Sequence, residues 1–227
     1  MTQLEVSTSQ GPARLDWTAP ARRSPAPLPF VMALTHGAGG TTNAPDLLAA
    51  RDAAVQIGGG VALITQPYRA RGARAPGSAD RQDEAWIDII TWLLTTGPAA
   101  APDPHQVPLI VGGRSNGARV ACRTAAAVGA RGVLALAFPL QPPARRNRGS
   151  DAVTLPPDRS PELRAATARG AHVLVLNGDR DSFGIPPAAP STQVVVLKGE
   201  THSLTKKPAA VAAAVAAWLT GAAFLVS

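Results

Sequence analysis

The sequence predicts an α/β protein, a mostly parallel sheet with helices on both faces in three α/β/α layers. Three observations carry this. Short apolar runs recur along the chain, each nearly continuous and bounded by Gly, Pro or polar residues, as strands buried on both faces should be. Longer amphipathic or Ala-rich runs alternate with them, which is the order of a parallel sheet with helical crossovers. The 227 residues, 45% apolar and 16% charged, suit one globular domain spanning 1–227.

Taken in order, residues 4–17 supply one or two antiparallel edge strands, and 18–28, rich in Pro, Ala and Arg, form a surface connector; residues 1–28 thus precede the core. Core strands are expected at 30–35, 61–65, 109–112, 133–138, 173–176 and 194–197. Trp86, Ile89, Ile90, Leu93 and Leu94 fall at helical spacing on one face, with Asp80 where that helix is capped. A helical run at 118–127 comes after the strand expected at 109–112. Val211, Val215, Trp218 and Leu219 repeat the spacing just after Pro208. The rhythm breaks at 139–161, where Pro142, Pro143, Pro156 and Pro157 stand among arginines. Proline at that density stops helix and central strand alike, so this is a long surface loop.

Composition excludes several classes. A single cysteine, Cys122, cannot form an internal disulfide and fits a reducing compartment. The start carries no basic and apolar leader and no apolar stretch is of membrane-spanning length, so a cytoplasmic protein without membrane association is expected. The net charge of +7 raises nucleic acid as a partner. The basic residues are nevertheless dispersed and lack interleaved aromatics, so they are read as scattered solvated arginines and not as a nucleic-acid surface.

The chemistry is concentrated in Gly113-Arg114-Ser115-Asn116-Gly117, a Gly-x-Ser-x-Gly set directly after a strand and before a helix. In that setting the serine sits on a strained turn as a nucleophile, and the next N–H, of Asn116, points at a developing oxyanion. A serine hydroxyl needs a base oriented by a carboxylate. The expected chain order, Ser then Asp then His, is met after the last two strands by Asp179 or Asp181 and by His202. Of the other three histidines, His105 lies in a Pro-flanked connector, His172 opens a strand, and His36 begins His36-Gly37-Ala38-Gly39-Gly40. That glycine-rich loop comes after the first core strand and offers the Ala38 N–H as second oxyanion donor. It lacks the Lys-Ser/Thr of a phosphate loop. His36, Gly37, Tyr68, Arg114 and Gln141 are the candidates for substrate contact, with a small, weakly basic pocket expected near Tyr68, Arg114 and Gln141 that favours short or acidic acyl groups. No metal or organic cofactor is implied, and Cys122 is expected in the core.

In order, the chain shows His36-Gly-Ala-Gly-Gly, Gln66-Pro67-Tyr68, Gly113-Arg-Ser-Asn-Gly, Phe138-Pro139-Leu140-x-Pro142-Pro143, Gly178-Asp-Arg-Asp181-Ser-Phe183-Gly184 and His202-Ser203. This set resembles the small lidless branch of the α/β-hydrolases that includes testis-expressed protein 30 and the hydrolase-like domain of a chromatin-complex subunit. Dienelactone hydrolases are more distant. The resemblance, over residues 28–220, implies the α/β-hydrolase fold and the aspartate before Ser-Phe-Gly, Asp181, as the acid. The chain departs from the branch at Asn116, where Met or a similar residue is usual, and at Gln141, where the branch has His. Motifs and resemblance together predict a serine hydrolase of esters, thioesters or lactones, built on Ser115, Asp181 and His202. The alternative is a hydrolase-like fold serving as a non-catalytic binding module.

Overall fold

The computed structural model describes residues 1–21, 28–101, 103, 106–142, 145–146, 153–154 and 156–221. The chain opens with a hairpin, β1 (Thr2–Val6) and β2 (Ala13–Thr18), paired antiparallel. Then come β3 (Val31–Thr35), α1 (Pro45–Gln56), β4 (Gly60–Thr65), α2 (Pro67–Ala70) and α3 (Ala79–Thr95). β5 (Leu109–Arg114), α4 (Asn116–Thr124) and β6 (Gly132–Leu136) form the middle of the chain. The short strands β7 (Arg145–Arg146) and β8 (Val153–Thr154) pair antiparallel with each other. α5 (Ser160–Thr167), β9 (His172–Gly178), β10 (Thr192–Leu197) and α6 (Pro208–Thr220) complete it.

Eight strands make the main sheet in the order β1-β2-β4-β3-β5-β6-β9-β10. The six strands from β4 to β10 run parallel; β2 pairs antiparallel with both β1 and β4. The period-two alternation of each strand divides the core between the faces. From β3, Val31 and Ala33 join Val111 and Val133 in the layer under Trp86, Ile89, Ile90 and Leu93 of α3 and Val120 of α4. Met32 and Leu34 turn the other way, to Leu47 and Ala54 of α1 and Val211, Val215 and Trp218 of α6. Cys122 is fully buried in the first layer, and desolvation pushes its thiol pKa well up.

The six core strands appear where the apolar runs place them, with ends shifted by a few residues. Three features differ from expectation. Helix α3 is capped by Ser78, whose Oγ accepts from the Arg81 N–H, and Asp80 lies in its first turn, where an acid favours the helix dipole. Residues 139–161 hold the β7–β8 ladder, and α5 starts at Ser160, inside the expected loop. The arginines are also not all solvated. Arg119 and Arg123, one turn apart on α4, make bidentate contacts with Glu162 and Asp83, tying α4 to α5 and α3. His105 and most of the 18–28 connector lie outside the described residues.

Candidate active site

Ser115 stands between the end of β5 and the start of α4 with φ 53° and ψ −110°, a left-handed backbone that an L-residue holds only under constraint. The constraint is visible on both sides. The Ser115 N–H donates to Leu136 O at 2.8 Å. A Cβ at Gly113 would lie 2.4 Å from Thr35 O, and one at Gly117 2.6 Å from the same oxygen. Only glycine at both positions lets β3 pack this closely against the turn. The side chain is thereby presented at the carboxyl end of the sheet, at the positive end of α4.

The loops after β9 and β10 bring an acid and an imidazole to it. His202, after β10, sets Nε2 2.9 Å from Ser115 Oγ and Nδ1 2.9 Å from Asp181 Oδ2. With Nδ1–H donating to the carboxylate, Nε2 is left to accept from the hydroxyl. Asp181, after β9, is buried and fully engaged. Oδ1 accepts from Phe183 N–H at 2.9 Å and Oδ2 from Asn177 Nδ2 at 3.2 Å. Asn177 is itself fully buried and also spans to Phe138 through both its N–H and its C=O. The Phe183 ring lies against the His202 ring, centroids 4.3 Å apart. Asp179 points elsewhere; its Oδ1 accepts the Gly199 N–H at 2.7 Å, a bond between the loop after β9 and the loop after β10.

The glycine-rich loop after β3 runs alongside Ser115: a Cβ on Gly37 would lie 3.5 Å from that of Ser115. His36 does not face solvent. It is fully buried, its Nε2 accepts the Gln66 N–H at 3.1 Å, and its Nδ1–H therefore donates to Gly37 O at 2.8 Å. Burial lowers its pKa, keeping the imidazole neutral in this tautomer. Tyr68 Oη donates to Ala38 O at 2.9 Å, anchoring the loop at that carbonyl. Among the described residues, no acceptor takes up the N–H of Ala38 or of Asn116. The Asn116 side chain donates to Gln82 Oε1 at 2.6 Å, which gives the departure from an apolar residue here a partner.

Arg114 and Gln141 are placed less directly. Gln141 is exposed and donates through Nε2 to Pro156 O, tying the 139–161 segment to itself, while its N–H donates to Phe183 O. Arg114 turns inward. Its Nη2 donates to His202 O at 3.0 Å, and its Nε lies 3.2 Å from Oδ2 of Asp46. Asp46, near the start of α1, is fully buried, and neither of its oxygens has a well-formed hydrogen bond. Burial raises its pKa to about 6, against the opposing pull of Arg114 and the helix-terminal N–H groups; Glu200, a second buried acid, adds to the rise. Asp46, Asn177, Gln82 and Glu200 were not legible as site residues, and Gln66 was marked only as part of the Gln66-Pro67-Tyr68 motif. For Asp46 the available signal was Pro45-Asp46 opening an Ala-rich run, an N-terminal helix signature. Among the described residues, no group of three or more His, Cys, Asp or Glu side chains could hold a metal ion.

Known proteins agree with this architecture. The α/β-hydrolase domain family matches residues 29–209. A comparison with curated proteins finds no match by sequence. Among solved structures, the chain is similar to a lidless α/β serine hydrolase from Xanthomonas campestris, with a TM-score of 0.70 at 18% identity over 97% of this chain and 94% of that one. It is similar to dienelactone hydrolase from Anabaena variabilis, at TM-score 0.67 and 16% identity, covering 97% and 96%. An esterase from Pyrobaculum calidifontis gives TM-score 0.65 at 14% identity, covering 97% and 84%. At these identities the structural likeness speaks for the fold alone, and the family match for descent: the chain belongs to the α/β-hydrolase family.

Proposed function

We propose that the chain is a serine hydrolase of carboxylic esters, thioesters or lactones, acting through an acyl-enzyme. The observation that carries the proposal is the continuous hydrogen-bonded relay from Ser115 Oγ through both His202 nitrogens to Asp181. In this mechanism His202 Nε2 takes the serine proton as Oγ attacks the carbonyl carbon, and the tetrahedral oxyanion is held by the N–H groups of Asn116 and Ala38. The imidazolium, stabilised by Asp181, then protonates the leaving alcohol. Water enters, loses a proton to His202, and releases the acid. His36, Tyr68 and Arg114 act as positioning residues, the first two on the oxyanion loop and the third on the His202 loop. The esterase and dienelactone hydrolase named among the structural neighbours fit this substrate range. The motif set that resembles the lidless branch with testis-expressed protein 30 covers the same residues.

The test is hydrolysis of p-nitrophenyl acetate and butyrate by wild type beside Ser115→Ala and His202→Ala. Turnover by wild type with a loss of roughly three orders of magnitude or more in each variant is expected. A fluorophosphonate probe should label wild type and not Ser115→Ala. A wild type that neither turns over nor labels overturns the proposal in favour of a non-catalytic module.

A further inference from the structure

His202 has to reach Asp181 and Ser115 at once, yet it stands on an irregular loop, residues 198–207, between β10 and α6. A loop of this kind moves unless it is tied down. One side chain ties its two ends together. Glu200 is fully buried, and its Oε1 accepts the N–H of Lys207, the residue at the N-cap of α6. His202 lies within the stretch that this bond closes.

The backbone of the same residue sets the loop against the acid. Glu200 O accepts the Arg180 N–H at 3.0 Å, one residue before Asp181. The approach leaves no room for a side chain opposite: a Cβ at Gly178 would lie 2.3 Å from Glu200 O. Further along the loop, Leu204 is fully buried with a left-handed φ of 46°, and its N–H donates to Thr201 O at 3.2 Å. Arg114 holds the middle through His202 O. For stability alone the Glu200 carboxyl group is a poor choice. Its Oε2 has no hydrogen-bond partner among the described residues, and Asp46, a second buried acid, is close enough to feel its charge. A buried polar atom left unpaired costs about 1–3 kcal/mol, which an apolar residue of similar bulk would avoid. What the carboxyl group does and an apolar residue cannot is close the loop at Lys207.

Resting on the hydrolase reading, we propose that Glu200 is a positioning residue for His202. Its side chain sets the span of the loop, and its carbonyl sets the distance of the loop from Asp181. The imidazole therefore meets the carboxylate and the serine hydroxyl together. Glu200 acts through the backbone on either side of His202 and not on the proton.

Two variants test this. Glu200→Met keeps the bulk and removes the acceptor, while Glu200→Gln keeps an acceptor without the charge. Turnover of p-nitrophenyl acetate is counted per site labelled to completion by the fluorophosphonate probe, so that unfolded molecules do not enter. Glu200→Met is expected to lower kcat by about ten- to a hundred-fold at a nearly unchanged KM, the loss that a displacement of roughly 1 Å brings. Glu200→Gln should restore it. The His202 Nδ1 proton, bonded to Asp181, reports the same geometry without turnover. Its low-field proton resonance should be present in wild type and Glu200→Gln and lost in Glu200→Met. Where Glu200→Met does not fold, Glu200→Asp draws the acid one methylene back from Lys207 and should show the same losses in smaller size. A resonance absent from wild type or kept by Glu200→Met overturns the proposal. So does an undiminished kcat per site, or an equal loss in Glu200→Gln and Glu200→Met. A lower urea midpoint with both signals intact would leave Glu200 a support of the fold alone. Wild type that neither labels nor turns over removes the hydrolase, and the resonance then decides the role of Glu200 by itself. Turnover with a resonance indifferent to Glu200 does the reverse.

Discussion

Two buried carboxylates approach His202 by different routes. Asp181 touches it directly, at Nδ1. Asp46 acts through Arg114, whose guanidinium sits between that carboxylate and the His202 carbonyl. Their surroundings are opposite in kind. Each Asp181 oxygen has a second donor besides the imidazole, from Phe183 N–H or from Asn177. Asp46 has a cation nearby but no well-formed hydrogen bond, and burial outweighs the cation, lifting its pKa to about 6. A charge at 3.2 Å in poor alignment does less for a buried carboxylate than directed donors do. The first arrangement suits a group that must orient an imidazole. The second leaves a buried carboxylate whose negative charge is costly to hold.

The largest effect should come from breaking the direct route. Asp181→Asn presents an amide where His202 Nδ1–H expects a carboxylate, so the imidazole turns to the wrong tautomer. On the proposed mechanism kcat for p-nitrophenyl acetate falls about ten-thousand-fold, by analogy with the serine protease triad, while circular dichroism is unchanged. Asp46→Asn, at the indirect position, is expected to cost no more than about ten-fold in the same assay, because Arg114 acts on the His202 backbone and not on the proton. Equal losses in the two variants would erase the distinction.

The next effect is on stability. Asn177→Leu keeps the approximate shape but strands the Phe138 N–H and C=O and the Gly184 C=O that Asn177 now serves, and takes from Asp181 its Asn177 donor. About 4 kcal/mol of destabilisation is expected, summing the penalties for buried unpaired groups, and it should appear as a lower urea midpoint with an unchanged slope. A loss below about 1 kcal/mol would mean that water replaces the amide.

The contrast between the two carboxylates also marks what a sequence can show. The strand ends carrying Ser115, Asp181 and His202 were legible because strands buried on both faces announce themselves as apolar runs, and the mechanism fixes which ends matter. Helices α3 and α6 were legible from their 3.6-residue spacing. Helix α1 was not: its Ala-rich stretch gives little amphipathic contrast, and it buries Asp46 where a periodic reading expects an apolar residue. The acid after β9 was ambiguous by spacing, since nothing local shows that Asp181 turns to His202 while Asp179 takes the Gly199 N–H. The supporting network was invisible for a related reason. Asn177 with Phe138, Gln82 with Asn116 and Asp46 with Arg114 are each joined across at least 34 positions, so no local pattern announces that a polar side chain will be buried. The same holds for the arginines of α4, which read as solvated until Glu162 and Asp83 are brought to them.

The smallest effect is also the one that isolates Asp46. An aspartate whose folded pKa is raised from 3.8 to about 6 binds its proton more tightly in the folded state than in the unfolded state. Ionisation therefore weighs against folding. The penalty is absent below about pH 4, where the group is protonated in both states, and complete above about pH 6, where it is ionised in both. Two pKa units correspond to about 3 kcal/mol. Asp46→Asn removes the titration while keeping the shape. The unfolding free energy of wild type minus that of Asp46→Asn should thus fall by up to about 3 kcal/mol between pH 4 and pH 6.5, and urea melts at intervals across that window measure it. A flat difference would mean that Arg114 offsets the burial of Asp46. A rising difference would reverse the sign, making the Asp46–Arg114 pair a net stabiliser that fails in acid.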